Sequence, residues 1–211
     1  TDNMLWAAVS KSARTPSVSD HALRVNTFAS PTGGPGDLPV IGSLHGDKSV
    51  DSGKLVAYEV GFRSSALVGL LFDFTAFYNE YDDLINSMTA GFEPVGSILP
   101  DGSFIPEYFR IIEQSNNGLS AYTSGIEAAI DWQVIESWKL RLGYSYLDIN
   151  VNVDAGSDQL ALMQAGESPH NQMSIRSLYD FSDNLTLDLW FRYVDELKSL
   201  GVDDYVSADF R

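Results

Sequence analysis

The feature that most constrains this chain is a side-chain period of two that runs through almost all of it, with almost no helical periodicity beside it. In LTLDLWFRYVD, Leu185, Leu187, Leu189, Phe191 and Tyr193 fall on one side of an extended chain, and Thr186, Asp188, Trp190, Arg192 and Val194 on the other. Successive side chains of a strand point to opposite faces, so such runs predict half-apolar strands. The same division separates Val56 to Phe62, Leu70 to Tyr78, Tyr122 to Trp132 and Met173 to Phe181 into greasy and polar sets. The stretch WKLRLGYSYLDINVNVD adds a second constraint. One set of alternate positions is apolar from Trp138 to Tyr146 and then becomes Asp148, Asn150, Asn152 and Asp154. That face meets an apolar medium for a fixed length and water beyond it. At ~3.3 Å per residue the apolar part is ~26 Å long, and a ~40° tilt leaves about 20 Å, close to the apolar band of an outer-membrane barrel.

Composition removes several alternatives. A net charge of -16, with 13 Lys and Arg among 211 residues and no basic run, opposes binding to a phosphate backbone, so no nucleic-acid partner is expected. With no cysteine there is neither a disulfide framework nor a thiolate metal site. No apolar run reaches the ~18 residues of a spanning helix, which excludes a helical membrane protein and leaves a membrane β-barrel open. The chain begins without Met or a basic and apolar leader, so the expectation is a mature product or an excised piece.

The connections alternate in length. Tight turns are expected at Ser64 to Ala66, Ile135 to Ser137 and Ser182 to Asn184, and long links near 17–53, 87–106 and 153–168. The first long link holds Pro31, Pro35, Pro39 and six glycines, a loop composition. Short turns at one end and long links at the other describe an up-and-down meander. Keeping every tight turn at one end requires a single bent strand from about Tyr108 to Val134, with Asn116-Asn117-Gly118 as a bulge. The reading is all-β: eight strands, from Met4 to Thr15 through one begun at Tyr205. An isolated set of this kind has two unpaired edges and is expected to aggregate unless its surroundings cover them.

A soluble β-sandwich, such as a carbohydrate-binding module, also shows period two. It does not account for aromatics near the ends of the apolar stripes, which are the girdles of a membrane barrel. The opposite face carries Glu59, Arg63, Asp73, Glu127, Asp131, Lys139, Arg141, Arg176, Asp180, Asp188 and Arg192. Burying so many charges in a narrow barrel costs heavily, so the predicted lumen is wide, wet or filled by a polar domain. A passive porin is a further alternative.

The segments AVSKSARTPS, KLVAYEVGFRSS, FTAFYNEYDDLIN, NGLSAYTSGIEAAIDWQV, WKLRLGYSYLD, ESPHNQMSIRS and LTLDLWFRYVDEL resemble, in order, consecutive barrel segments of TonB-dependent outer-membrane receptors. Together they span nearly the whole chain outside the loops. The resemblance implies part of a barrel of about 22 strands, drawn from its C-terminal half, with residues 1–211 lacking the plug, the TonB box and the final strands. It implies a non-enzymatic receptor in the outer membrane of a Gram-negative bacterium. Such a receptor would take up a scarce nutrient, most often a ferric siderophore, and be energised by the TonB complex through the plug. Its other partner would be outer-membrane lipid, and it would need no cofactor. The charged face would then contact the plug or line the path.

Asp148-x-Asn150-x-Asn152 opens like a calcium loop, but Val153 replaces its glycine, Gln159 its closing glutamate, and alternate residues on a strand stand ~6.8 Å apart. Ser168-Pro169-His170 lacks a positioned acid and an oxyanion motif, and reads as a loop-to-strand junction. No catalytic or metal site is expected. His21, His45 and His170 lie in or beside long links, where solvation is the simpler reading and contact with an iron chelate the functional one. Arg24, Tyr108 and Arg110 are candidate contacts for an anionic chelate, because guanidinium and phenol groups recognise carboxylates and catecholates. Asp82-Asp83 marks where a strand leaves the bilayer.

Overall fold

The computed structural model describes residues 2–211. Its strands are β1 (Asn3–Arg14), β2 (Arg24–Ser30), β3 (Val40–His45), β4 (Gly53–Ser64), β5 (Leu70–Ile98), β6 (Phe104–Ile135), β7 (Trp138–Val153), β8 (Asn171–Ser182), β9 (Leu185–Val194) and β10 (Tyr205–Phe210). All except β2 and β3 form one antiparallel path, each strand beside the next, with β1 and β10 as its ends. The sheet is open, its end strands β1 and β10 not pairing with each other. It is also a single layer with no second layer to pack on, so the buried apolar side chains among the described residues are only Val40 and Val50.

The expected eight-strand meander is present, and the kink at Asn116-Asn117-Gly118 lies inside the single strand β6. The tight turns at 136–137 and 183–184 fall as expected, whereas the first is wider, occupying 65–69. Gly69 closes that turn at φ +76°, and its carbonyl accepts from Gln133 N at 2.7 Å.

Two long links are not loops. Residues 87–106 were expected to connect strands; instead β5 and β6 run on through them and turn only at 99–103. With 32 residues, β6 has a contour of roughly 105 Å, several times what one crossing needs. The link 17–53 contains a helix, α1 (Val18–Ala22), capped by Ser17 and Asp20, and the hairpin β2–β3. Strand β3 then pairs in parallel with β6, Val40 beside Phe109 through His45 beside Gln114. Its prolines lie outside the paired residues, so loop composition hid a hairpin. The link 153–168 carries a short helix, α2 (Leu160–Gln164).

Aromatic rings line one face at two levels. Tyr58, Tyr78 and Tyr122 follow one another at 6.4 and 6.1 Å. Towards the tight turns come Phe62 with Phe72 at 6.3 Å and Trp138, Tyr179 and Phe181 at 6.5 and 4.7 Å. On the opposite face, rings cover glycines directly across the strand pair: Trp6 over Gly61 and Phe77 over Gly125.

Candidate functional site

The charged face is paired rather than merely polar. Arg63 binds Asp73, its cross-strand neighbour. Asp131 accepts from Lys139 Nζ at 2.8 Å and Arg141 Nε at 3.3 Å. Arg176 grips Asp188 through two bonds of 2.9 and 2.6 Å, and Arg192 reaches Asp209 at 2.7 Å. Glu127 joins Asp73 and Arg192 around a groove of about 410 Å³. Asp180 accepts the Thr186 hydroxyl at 2.6 Å, and Glu59 stands beside Phe77. Sequence reasoning missed two members. Trp190 lies between the guanidinium groups of Arg176 and Arg192, at 5.5 and 4.2 Å, and Asp209 completes the last pair. Both sit at the correct parity, but Trp190 carries no charge and Asp209 fell in the last strand, where faces were not assigned.

At the long-connection end, β2, β3 and the extensions of β6 and β5 form a four-stranded sheet with two unlike faces. The register places Phe28, Val40, Gly42, Leu44, Phe109, Ile111 and Phe92 on one side, where Phe92 and Phe109 stack at 5.0 Å and 7°. Arg24, Asn26, Ser43, His45, Tyr108, Arg110 and Glu93 share the other.

Which side faces which is set by bulges. Below the kink, odd-numbered β6 residues from Leu119 to Asp131 share the charged face. Across it, Leu84 pairs with Leu119 but Asn86 pairs with Asn116, so β6 spends one extra residue and even numbers take over that face above. Arg110 and Tyr108 are therefore continuous with Glu127 and Asp131, not with the tyrosine row. A strict alternation read through the kink would give the reverse.

Four of the six proposed ligand contacts meet on this face. Arg24 donates Nη1–H to His45 Nδ1 at 2.6 Å. Arg110 donates to Glu93 Oε1 and to the Tyr108 hydroxyl, each at 3.2 Å, while its Nε–H is buried without a partner. Because Nδ1 accepts from a guanidinium, His45 is neutral. Desolvation first, then the charges of Arg24 and Arg110, push its pKa below the ordinary histidine value. The other two candidates are elsewhere. His21 donates Nε2–H to the Val50 carbonyl at 3.0 Å and anchors the link that follows β3. His170 donates Nδ1–H to the Leu147 carbonyl at 2.9 Å and stacks on Tyr146. No cluster of three or more His, Cys, Asp or Glu able to hold a metal occurs among the described residues.

The family model for the TonB dependent receptor-like β-barrel matches residues 1–211. The chain belongs to the TonB-dependent receptor β-barrel family. Solved structures agree with this fold. The siderophore receptor PirA from Acinetobacter baumannii superposes with a TM-score of 0.70 at 16% identity, covering 99% of this chain and 32% of that one. A variant of the ferric enterobactin receptor PfeA from Pseudomonas aeruginosa gives 0.68 at 15% identity, covering 99% and 30%. The copper transporter OprC gives 0.56 at 14% identity, covering 92% and 24%. This chain thus spans about a third or less of the length of each of these proteins. No curated protein matches the sequence significantly.

Proposed function

We propose that residues 1–211 form part of the wall of an outer-membrane receptor that takes up a scarce nutrient, energised through TonB, with an anionic ferric chelate of the siderophore type as cargo. The aromatic face meets lipid, and the charged face looks into the lumen, towards a plug supplied by the part of such a receptor that this chain does not span. The observation that carries the cargo class is the cluster of Arg24, His45 and Arg110. It places two guanidinium groups, one bonded to neutral His45 and one to Glu93, on the lumen-facing side of the long-connection sheet in a chain of net charge -16, and it holds one guanidinium N–H that is buried and unpaired. An unpaired buried donor is costly, and an anionic ligand reaching this face would supply the acceptor it lacks. Similarity to a siderophore receptor and a ferric enterobactin receptor agrees with this cargo, whereas similarity to a copper transporter marks the alternative.

The test is ferric enterobactin binding to the complete receptor in detergent. Replacing Arg24 and Arg110 together by Ala removes two charge-assisted contacts, each worth roughly 1.5–3 kcal/mol, and should weaken binding by at least about a hundredfold. An unchanged affinity, or binding of copper ions in preference to any ferric chelate, sinks the cargo assignment. Folding that needs no detergent and shows no heat-modifiable gel mobility sinks the membrane reading as a whole.

A pH dependence follows. In the free protein His45 has a depressed pKa, so its contribution to the packing of β2 and β3 is fully present above about 6.5 and is lost as pH falls below that value. A bound anion reverses the balance, because it neutralises the two guanidinium groups and stabilises the imidazolium. Binding therefore takes up a proton. Affinity relative to a His45→Gln receptor should rise as pH is lowered from about 7 to 5, the comparison cancelling titration of the chelate itself. A constant ratio across that range contradicts the placement of His45 in the ligand contact.

A further inference from the structure

We propose that Asn117 is a positioning residue, the latch that holds the long-connection sheet in phase with the barrel wall. Two bulges lie side by side at this level. Strand β5 gains one residue at Asp82–Asp83, and β6 gains one at Asn117–Gly118. Adjacent bulges break the ladder on both strands and would leave the upper sheet hinged on the lower one.

The Asn117 amide closes the hinge. Its Nδ2 donates to the carbonyls of Asp83 at 2.6 Å and Asp51 at 3.0 Å, and its Oδ1 accepts from Asp51 N at 2.8 Å. Both amide hydrogens and the oxygen are used, each on a main-chain atom of another segment. Of the twenty side chains only a primary amide offers two donors and an acceptor from one planar group; a carboxylate of the same shape would point oxygen at two carbonyl oxygens.

Both partners are places where the chain needs holding. Asp83 has φ +55°, a left-handed conformation costly for a residue other than glycine, and its carboxylate takes Lys54 Nζ. Asp51 ends the excursion that carries β2 and β3, two residues before β4 begins. Fixing Asp51 fixes where that hairpin meets the barrel. The third long link is tied at the same level. Asn116 Nδ2 donates to Ser157 Oγ at 2.7 Å, Asp158 N to the Ser87 carbonyl at 2.7 Å, and Asn86 Nδ2 to the Asp158 carbonyl at 3.0 Å. Three excursions, far apart in sequence, thus move as one body with β6.

The mechanical part of this proposal stands alone; its consequence for ligand capture rests on the function proposed above. The experiment is hydrogen exchange by mass spectrometry on the complete receptor in liposomes, comparing the unaltered protein with Asn117→Asp and with Asp51→Ala. Asn117→Asp should speed exchange of peptides covering 40–53 by roughly ten- to a hundredfold, as expected for losing two or more hydrogen bonds in a local opening, with β7 and β8 unchanged. Asp51→Ala, which leaves the main-chain atoms in place, should behave as the unaltered protein. Unchanged exchange in 40–53, or equal acceleration in β7 and β8, overturns the latch. Should Asn117→Asp not assemble, Asn117→Ala, which removes the amide without adding a charge, carries the test with the same readings. Ferric enterobactin affinity measured on the same samples separates the two ideas. A latch that opens without loss of affinity leaves the inference intact and removes the ligand face, whereas a parallel loss supports both.

Discussion

Replacing Leu142 by arginine should destabilise the folded receptor by about 2–4 kcal/mol, whereas Ser145→Arg, three residues along the same strand, should cost close to nothing. Leu142 lies midway between Trp138 and Tyr146, flanked across the sheet by Ile130 and Ile175. A charge there enters the middle of the apolar band. Ser145 points to the other face, where its neighbours are Glu127 and Gln172, so an arginine finds water and a carboxylate. The measurement is the urea dependence of folding in lipid vesicles, read from heat-modifiable mobility. Equal costs at the two positions would mean that both faces see the same medium, and the membrane assignment of the aromatic face would fall with them.

The second large effect concerns glycines under rings, and it separates two kinds of close packing. At Gly125 a Cβ would lie 2.2 Å from the Tyr146 carbonyl oxygen and 2.6 Å from the Phe77 ring. The main-chain atom cannot move without breaking the β6–β7 ladder, so Gly125→Ala should cost about 1–3 kcal/mol and Phe77→Ala should not restore it. At Gly61 the three nearest atoms all belong to the Trp6 indole, at 2.2 to 2.4 Å. There Gly61→Ala should be rescued in large part by Trp6→Ala. A double-mutant cycle at each site gives the answer: strong coupling at 6 and 61, weak coupling at 77 and 125. The reverse order would show that ring packing, not backbone approach, sets the need for Gly125.

The strands were legible because their alternation is a local property. Leu185 to Tyr193 against Thr186 to Val194 requires only a pleated chain and two media; Pro16 set the expected end of the first strand at Thr15, one residue past Arg14 where β1 stops, and β10 starts at Tyr205 as expected. The expectation that 87–106 was a connection failed for a related reason. Gly91, Pro94, Gly96, Pro100 and Gly102 interrupt the pattern, but the two strands pair with each other through most of that range, and cross-strand hydrogen bonds outweigh poor local propensity. Residues 40–45 show the same effect, since VIGSLH becomes a strand by finding β6, about 70 residues away. Asn117 was visible as part of a bulge, yet what its side chain holds was not, because its partners lie 66 and 34 positions back in the chain.

By itself the sequence determined the class of protein. Two-faced strands with aromatics near the ends of the apolar stripes favour a β-barrel wall over a sandwich, and net charge and the absence of a long apolar run remove nucleic-acid binding and a spanning helix, since those quantities follow from composition and from a period fixed by backbone geometry. It also determined the direction of the meander, because a tight turn must join strands at one end. Only the tertiary structure decided which face the long-connection residues join. An extra residue at Asn117–Gly118 exchanges odd for even along β6, and parallel pairing then carries that phase to β3 and β2. Arg24, His45, Tyr108 and Arg110 come together because register, unlike alternation, is set by the partner strand.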